Sequence, residues 1–120
     1  MMKRFVFALT VLATPALAEA PIWTGIWTSD PEWCQYAELI GGHDPAPIRI
    51  TETEVAGLEH SCLVTDVRGN EQKQYWELTL SCSGEGEQYE DSALLMLDGE
   101  NILWRWYGGG EPFKFTRCGG

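Results

Sequence analysis

The chain has 120 residues, with eight Lys and Arg against eighteen Asp and Glu, a formal net charge of −10. That balance repels phosphate backbones, whose binding rests on Lys and Arg displacing counterions, and excludes nucleic acid as an expected partner. It also disfavours an anionic membrane surface, while a basic protein or a cation fits it.

In chain order, the first element reads as a secretory signal. Lys3 and Arg4 form a positive start, and Phe5 to Ala13 an apolar stretch broken only by Thr10. Ala16-Leu17-Ala18 supplies the small-x-small pattern that signal peptidase needs, after the helix-breaking Pro15. The stretch is far shorter than the ~20 apolar residues that span a bilayer. Cleavage is expected after Ala18; Ala18-Glu19-Ala20 also fits, but sets Pro21 directly after the cut. No Cys follows the apolar stretch, so no lipid or membrane anchor is expected. The cut leaves residues 19 to 120, one domain's worth, in the periplasm or secreted. Two basic residues and no acidic ones are lost, so the net charge becomes about −12.

Trp23 to Ser29 reads as a strand. Asp30-Pro31-Glu32-Trp33 is a helix start, with an Asp cap, Pro at the first helical position and Glu in the first turn. The helix carries Cys34 and should stop before Gly41-Gly42, ahead of an irregular loop to Pro47. Pro47 to Thr51 and Val55 to His60 read as two more strands, and Cys62 to Val67 as another. Gln74 to Cys82 alternates cleanly: Trp76, Leu78, Leu80 and Cys82 share one face, Tyr75, Glu77, Thr79 and Ser81 the other. Turn residues from Ser83 to Glu87 lead to a strand over residues 88 to 97, and Asp98-Gly99-Glu100-Asn101 is a tight turn. Ile102, Trp104 and Trp106 then alternate with Leu103, Arg105 and Tyr107. Gly108-Gly109-Gly110 and Pro112 precede a last strand, Phe113 to Cys118.

Four cysteines lie beyond the signal: Cys34, Cys62, Cys82 and Cys118. An even count in an exported chain reads as a disulfide framework, with three possible connectivities. The spacings are long and no Cys-x-x-Cys or Cys-x-x-His pair exists, which argues against a metal. A hairpin folded about residue 72 sets Cys62 opposite Cys82, a geometry open to a cross-strand disulfide. Cys34 then pairs with Cys118 by elimination, a long closure worth about 4–5 kcal/mol in the chain-entropy view.

About eight strands and one short helix make an all-β domain. Short strands in succession favour an antiparallel meander closed into a small barrel to hide its edges; a two-sheet sandwich is the alternative. An interior of about eight strands is just wide enough to be filled by side chains or to hold one small ligand.

Gly25-Ile26-Trp27 on the first strand, with Arg117 near the end of the last, resembles the shared signature of the lipocalin-like (calycin) barrels. The resemblance implies that first and last strands are neighbours and that the guanidinium crosses the Trp27 ring, worth roughly 1 kcal/mol. The chain's size is similar to the compact exported relatives of that barrel, which include bacterial protease inhibitors. Trp27 through Cys34, Gly57-Leu58-Glu59 to Cys62, Cys82 through Glu87, and Thr116-Arg117-Cys118 resemble small exported bacterial four-cysteine proteins of unassigned function. That likeness supports export and the disulfide framework and implies no activity.

Six tryptophans stand in the chain: Trp23, Trp27, Trp33, Trp76, Trp104 and Trp106. Most suit the core of a small stapled domain. Trp104-Arg105-Trp106-Tyr107, next to a Gly-rich turn, is the candidate binding surface. His43-Asp44 lacks a third ligand at short spacing and reads as an exposed loop, and His60 as a strand surface residue. Glu85, Glu87, Glu90 and Asp91 lack a calcium-loop pattern and read as a solvated turn. No Ser lies in a Gly-x-Ser-x-Gly context and the cysteines are used up, so no catalytic residue, metal or cofactor is expected. The chain therefore reads as a non-catalytic binding module for a protein partner, such as a basic protein or a hydrolase that it inhibits. The alternative is a carrier of a small apolar ligand, in a pocket lined by some of Trp27, Trp76, Trp104 and Trp106.

Overall fold

The computed structural model describes residues 20–57, 60–107 and 110–119; the expected signal segment and its cut after Ala18 lie outside them. The strands are β1 (Gly25–Thr28), β2 (Ile48–Ile50), β3 (Glu54–Ala56), β4 (Ser61–Asn70), β5 (Tyr75–Gly84), β6 (Glu87–Asp98), β7 (Ile102–Tyr107) and β8 (Phe113–Arg117). They follow one another around a closed antiparallel barrel in chain order. β8 returns to β1, with Trp27 opposite Arg117 and Thr28 opposite Thr116, so the sandwich alternative falls. The β4–β5 and β6–β7 turns mark the lower end of the barrel, and the β5–β6 turn marks the upper end.

Period-two patterning produces this wall. Along β5, Trp76, Leu78, Leu80 and Cys82 are buried while Tyr75, Glu77, Thr79 and Ser81 are exposed. Ala93, Leu95 and Leu97 of β6 and Leu103 of β7 continue the core, which Trp27, Ile50 and Val55 complete from the other side. Each large apolar side chain so buried contributes roughly 1.5–3 kcal/mol.

Both disulfides form as the sequence predicts, Cys34 with Cys118 and Cys62 with Cys82. The β4–β5 register sets Cys62 opposite Cys82 and shifts once, between Val64 and Asp66. That bulge carries the inward phase from Val64 to Val67, which lies opposite Leu78. Two residues further on, Gly69 lies opposite Trp76. A Cβ there would meet Trp76 Cδ1 at 2.5 Å, so only glycine lets the indole lie across the strand.

Four expected strands are shorter than their sequence reading; Pro47 to Thr51 narrows to Ile48–Ile50, and Phe113 to Cys118 to Phe113–Arg117. The one read over Trp23 to Ser29 is confined to β1, because Thr24 turns back: its N and Oγ1 donate to Pro21 O at 2.9 and 2.6 Å. Trp23 lies in this turn and is buried. The one read over Val55 to His60 stops at Ala56, because Gly57 N donates to His60 O at 3.1 Å and reverses the chain into β4. The helix is a 3₁₀ helix over Pro31–Leu39, broken in its geometry at Tyr36, with the Asp30 side chain accepting from Glu32 N. It stops ahead of Gly41-Gly42 as expected.

Replacing Cys62 with Ser removes a bridge between two buried positions and should cost about 2–5 kcal/mol. Urea denaturation reads this directly, and an unchanged midpoint would contradict the role given to the bridge.

Candidate functional site

Two groupings of side chains stand out, one closing the barrel and one facing outward. The first centres on Arg117. Its guanidinium lies over the Trp27 ring, 4.2 Å from the centroid. Nε donates to Glu100 O at 2.9 Å, Nη1 to Thr24 O at 2.8 Å and Nη2 to Ile22 O at 2.6 Å. Trp27 Nε1 in turn donates to Trp23 O at 3.1 Å. One side chain therefore ties the β6–β7 turn and the segment before β1 to the end of β8. Burial lowers the Arg117 pKa from its ordinary value, opposed by the nearby Glu100 carboxylate, which raises it. Gly25 makes the arrangement possible: its φ is +142°, and a Cβ would meet Arg117 Nη1 at 2.5 Å. These roles are structural: each of the three guanidinium nitrogens donates to a backbone carbonyl of this chain.

The second grouping lies on the outer wall. In β7, Leu103 and Arg105 point inward and are buried, while Ile102, Trp104 and Trp106 alternate outward and stay partly exposed. The candidate surface thus divides. Trp104 and Trp106 belong to the outside, Arg105 lies in the wall between Leu95 and Phe113, and the Tyr107 side chain falls outside the described residues. Trp104 stands opposite Met96 on one side and Lys114 on the other, and Trp106 stands opposite Leu94. Met96 is opposite Tyr75, and Leu94 opposite Glu77. Residues directly opposed across antiparallel strands have Cβ atoms about 4.5–5.5 Å apart, so these form a continuous apolar strip. Tyr75 and Met96 are each 38% exposed within it. Sequence alternation alone separates the two faces of β7 but does not say which turns inward. The signal that decides it is β6, where Leu95 and Leu97 are buried and must face Arg105 and Leu103.

Beside this strip, an open cleft of about 290 Å³ is lined by Glu77, Ser92, Leu94 and Trp106. Lys114 and Glu77 border the aromatic residues with opposite charges. The arrangement offers flat aromatic contact area with polar edges, which suits docking more than chemistry.

The histidines are engaged locally. His43 stacks on Tyr36, ring centroids 4.4 Å apart, and its Nδ1 lies 2.8 Å from Pro45 O, so it is partly covered where the sequence reading left it exposed. Asp44 beside it is exposed. His60 Nδ1 lies 2.9 Å from the Tyr89 hydroxyl at the upper end. Glu85, Glu87 and Glu90 are exposed on the β5–β6 hairpin, with Asp91 half-buried. Among the described residues, no cluster of three His, Cys, Asp or Glu side chains is placed to hold a metal ion. No protein-family model, curated protein or solved structure matches the chain.

Two substitutions separate the groupings. Arg117→Met strips three carbonyls of a charged donor and should cost at least about 2 kcal/mol. Trp106→Ala removes only cross-strand contacts on the outer wall and should cost no more than about 1 kcal/mol. Thermal melts of the two variants check both expectations; equal losses would remove the distinction between a closing cluster and an outward surface.

Proposed function

We propose that the protein is a non-catalytic binding module of an exported compartment, and that it holds a protein partner against the Trp104 and Trp106 face. The observation that carries this reading is the partial exposure of two tryptophans, beside exposed Met96 and Tyr75, on the outer wall of a barrel whose hydrophobic core lies on the inner face. Two disulfides and the signal-like first eighteen residues support the compartment. The net charge of −10 favours a basic partner, and inhibition of a basic hydrolase is one concrete form of the activity. The Gly25-Ile26-Trp27 and Arg117 resemblance to calycin barrels, with their exported inhibitor relatives, agrees with it.

The carrier reading has less support. Of the four tryptophans that would line its pocket, Trp27 and Trp76 are buried among core side chains, while Trp104 and Trp106 lie outside. An apolar ligand would need a space these residues do not share.

Native mass spectrometry of the protein recovered from its own host tests the reading. The expected spectrum contains a complex with a second polypeptide that is lost in Trp106→Ala, while near-ultraviolet dichroism shows the fold intact. A small-molecule adduct retained by Trp106→Ala, with no polypeptide partner, would replace the proposal with the carrier.

A further inference from the structure

The wall of the barrel is incomplete at one seam. β3 covers only the upper part of β4, from Ala56 opposite Ser61 to Glu54 opposite Leu63. One more bond follows, Val64 N donating to Thr53 O at 2.9 Å. The bulge between Val64 and Asp66 then ends the pairing. Asp66 to Asn70 remain paired to β5, and among the described residues no strand pairs their other side. An unpaired edge presents backbone donors and acceptors to whatever extended chain comes beside it.

A cleft of about 460 Å³ opens beside this edge. Trp23 and Trp76 are its buried residues, and Ile22 and Val67 are its exposed apolar ones. Val67 lies opposite the fully buried Leu78, yet it is 39% exposed. An inward position so uncovered marks a place where the wall lacks a neighbour. Glu52 and Glu71, both exposed, add two carboxylates to the lining, and Glu54 is exposed at the start of β3. Arg68 on β4 is held 3.1 Å from Asp66, and exposed Lys73 in the following turn is one cation against the three carboxylates of Glu52, Glu54 and Glu71.

We propose that the free edge of β4 and this cleft form a strand-addition site for an extended segment of a partner protein, with apolar and basic residues at alternate positions. Main-chain hydrogen bonds to Asp66–Asn70 supply affinity in such a mode, and pockets for alternate side chains supply specificity. Apolar residues of the added strand would continue the inward set over Val67 and Ile22. The carboxylates of Glu52 and Glu71 select Lys or Arg beside them. The site is separate from the Trp104 and Trp106 face and does not depend on it.

The test uses the protein without its first eighteen residues and the peptide acetyl-Lys-Val-Lys-Val-Lys-Val-amide, followed by hydrogen exchange and by tryptophan fluorescence. The expected result is slowed amide exchange confined to residues 66 to 70, with saturable binding. N-methylation of the valine amides, which blocks strand pairing, should weaken binding about tenfold or more. Glu71→Lys, in an exposed turn, should weaken it as well, and Trp106→Ala should leave it unchanged. Unaltered exchange at residues 66 to 70 at millimolar peptide would overturn the proposal. So would equal binding of the N-methylated peptide, which would mark the cleft as a pocket for side chains only.

Discussion

The barrel depends on one guanidinium. A meander of eight strands closes only if its last strand finds its first, and here just two register pairs join β1 to β8. Arg117 reinforces that short seam from beneath. Its planar fork reaches three carbonyls belonging to two different connections while its face covers Trp27. A lysine has one compact ammonium and cannot match this geometry, so the residue type follows from the task. The indole below is positioned in turn by the Trp23 carbonyl, which places the segment before β1 under the core. Glycine at position 25 is the remaining requirement, since any side chain there would occupy the guanidinium's place.

Closure by this cluster leaves the rest of the wall free to distribute its large side chains on both faces. Leucines dominate the inward positions of β5, β6 and β7, and the disulfide between Cys62 and Cys82 fills space near the upper end. The outward positions of β6 and β7 then carry Leu94, Met96, Trp104 and Trp106, residues that a purely solvating surface does not need.

Much of this was legible in the sequence. The alternation from Gln74 to Cys82, the hairpin about residue 72 and the Asp30-Pro31 helix start each state their local geometry through side-chain chemistry, and the order of strands followed from their number and spacing. The bulge in β4 lies between the turn and the disulfide: turn-side pairs such as Asn70 with Tyr75 would carry Cys62 to Ser83, and the one-residue shift between Val64 and Asp66 brings it opposite Cys82. What stayed hidden depended on contacts between distant segments. Trp23 looked like strand because nothing local shows that Thr24 bonds back to Pro21. Arg105 looked like a surface residue because a cation on an aromatic strand usually is one, and its inward turn is imposed by Leu95 and Phe113 on the neighbouring strands. The open edge of β4 had no signature at all, since it arises from the shortness of β3.

The bridge between Cys34 and Cys118 has a mechanical meaning. Tension applied between Ala20 and Gly119 travels from the leading segment to Cys34, crosses the sulfurs and leaves through Cys118. β2 through β7 never lie on that path. Only β1 does, held between β2 and β8 and sheared out along its length if it yields. With the bridge intact the stretched molecule gains at most roughly 50 Å, the extended reach of the residues ahead of Cys34. Yielding of β1 would withdraw the fully buried Trp27 from the core and part β2 from β8, so the load falls on the closure itself while the hairpins from β2 to β7 stay off the line of force.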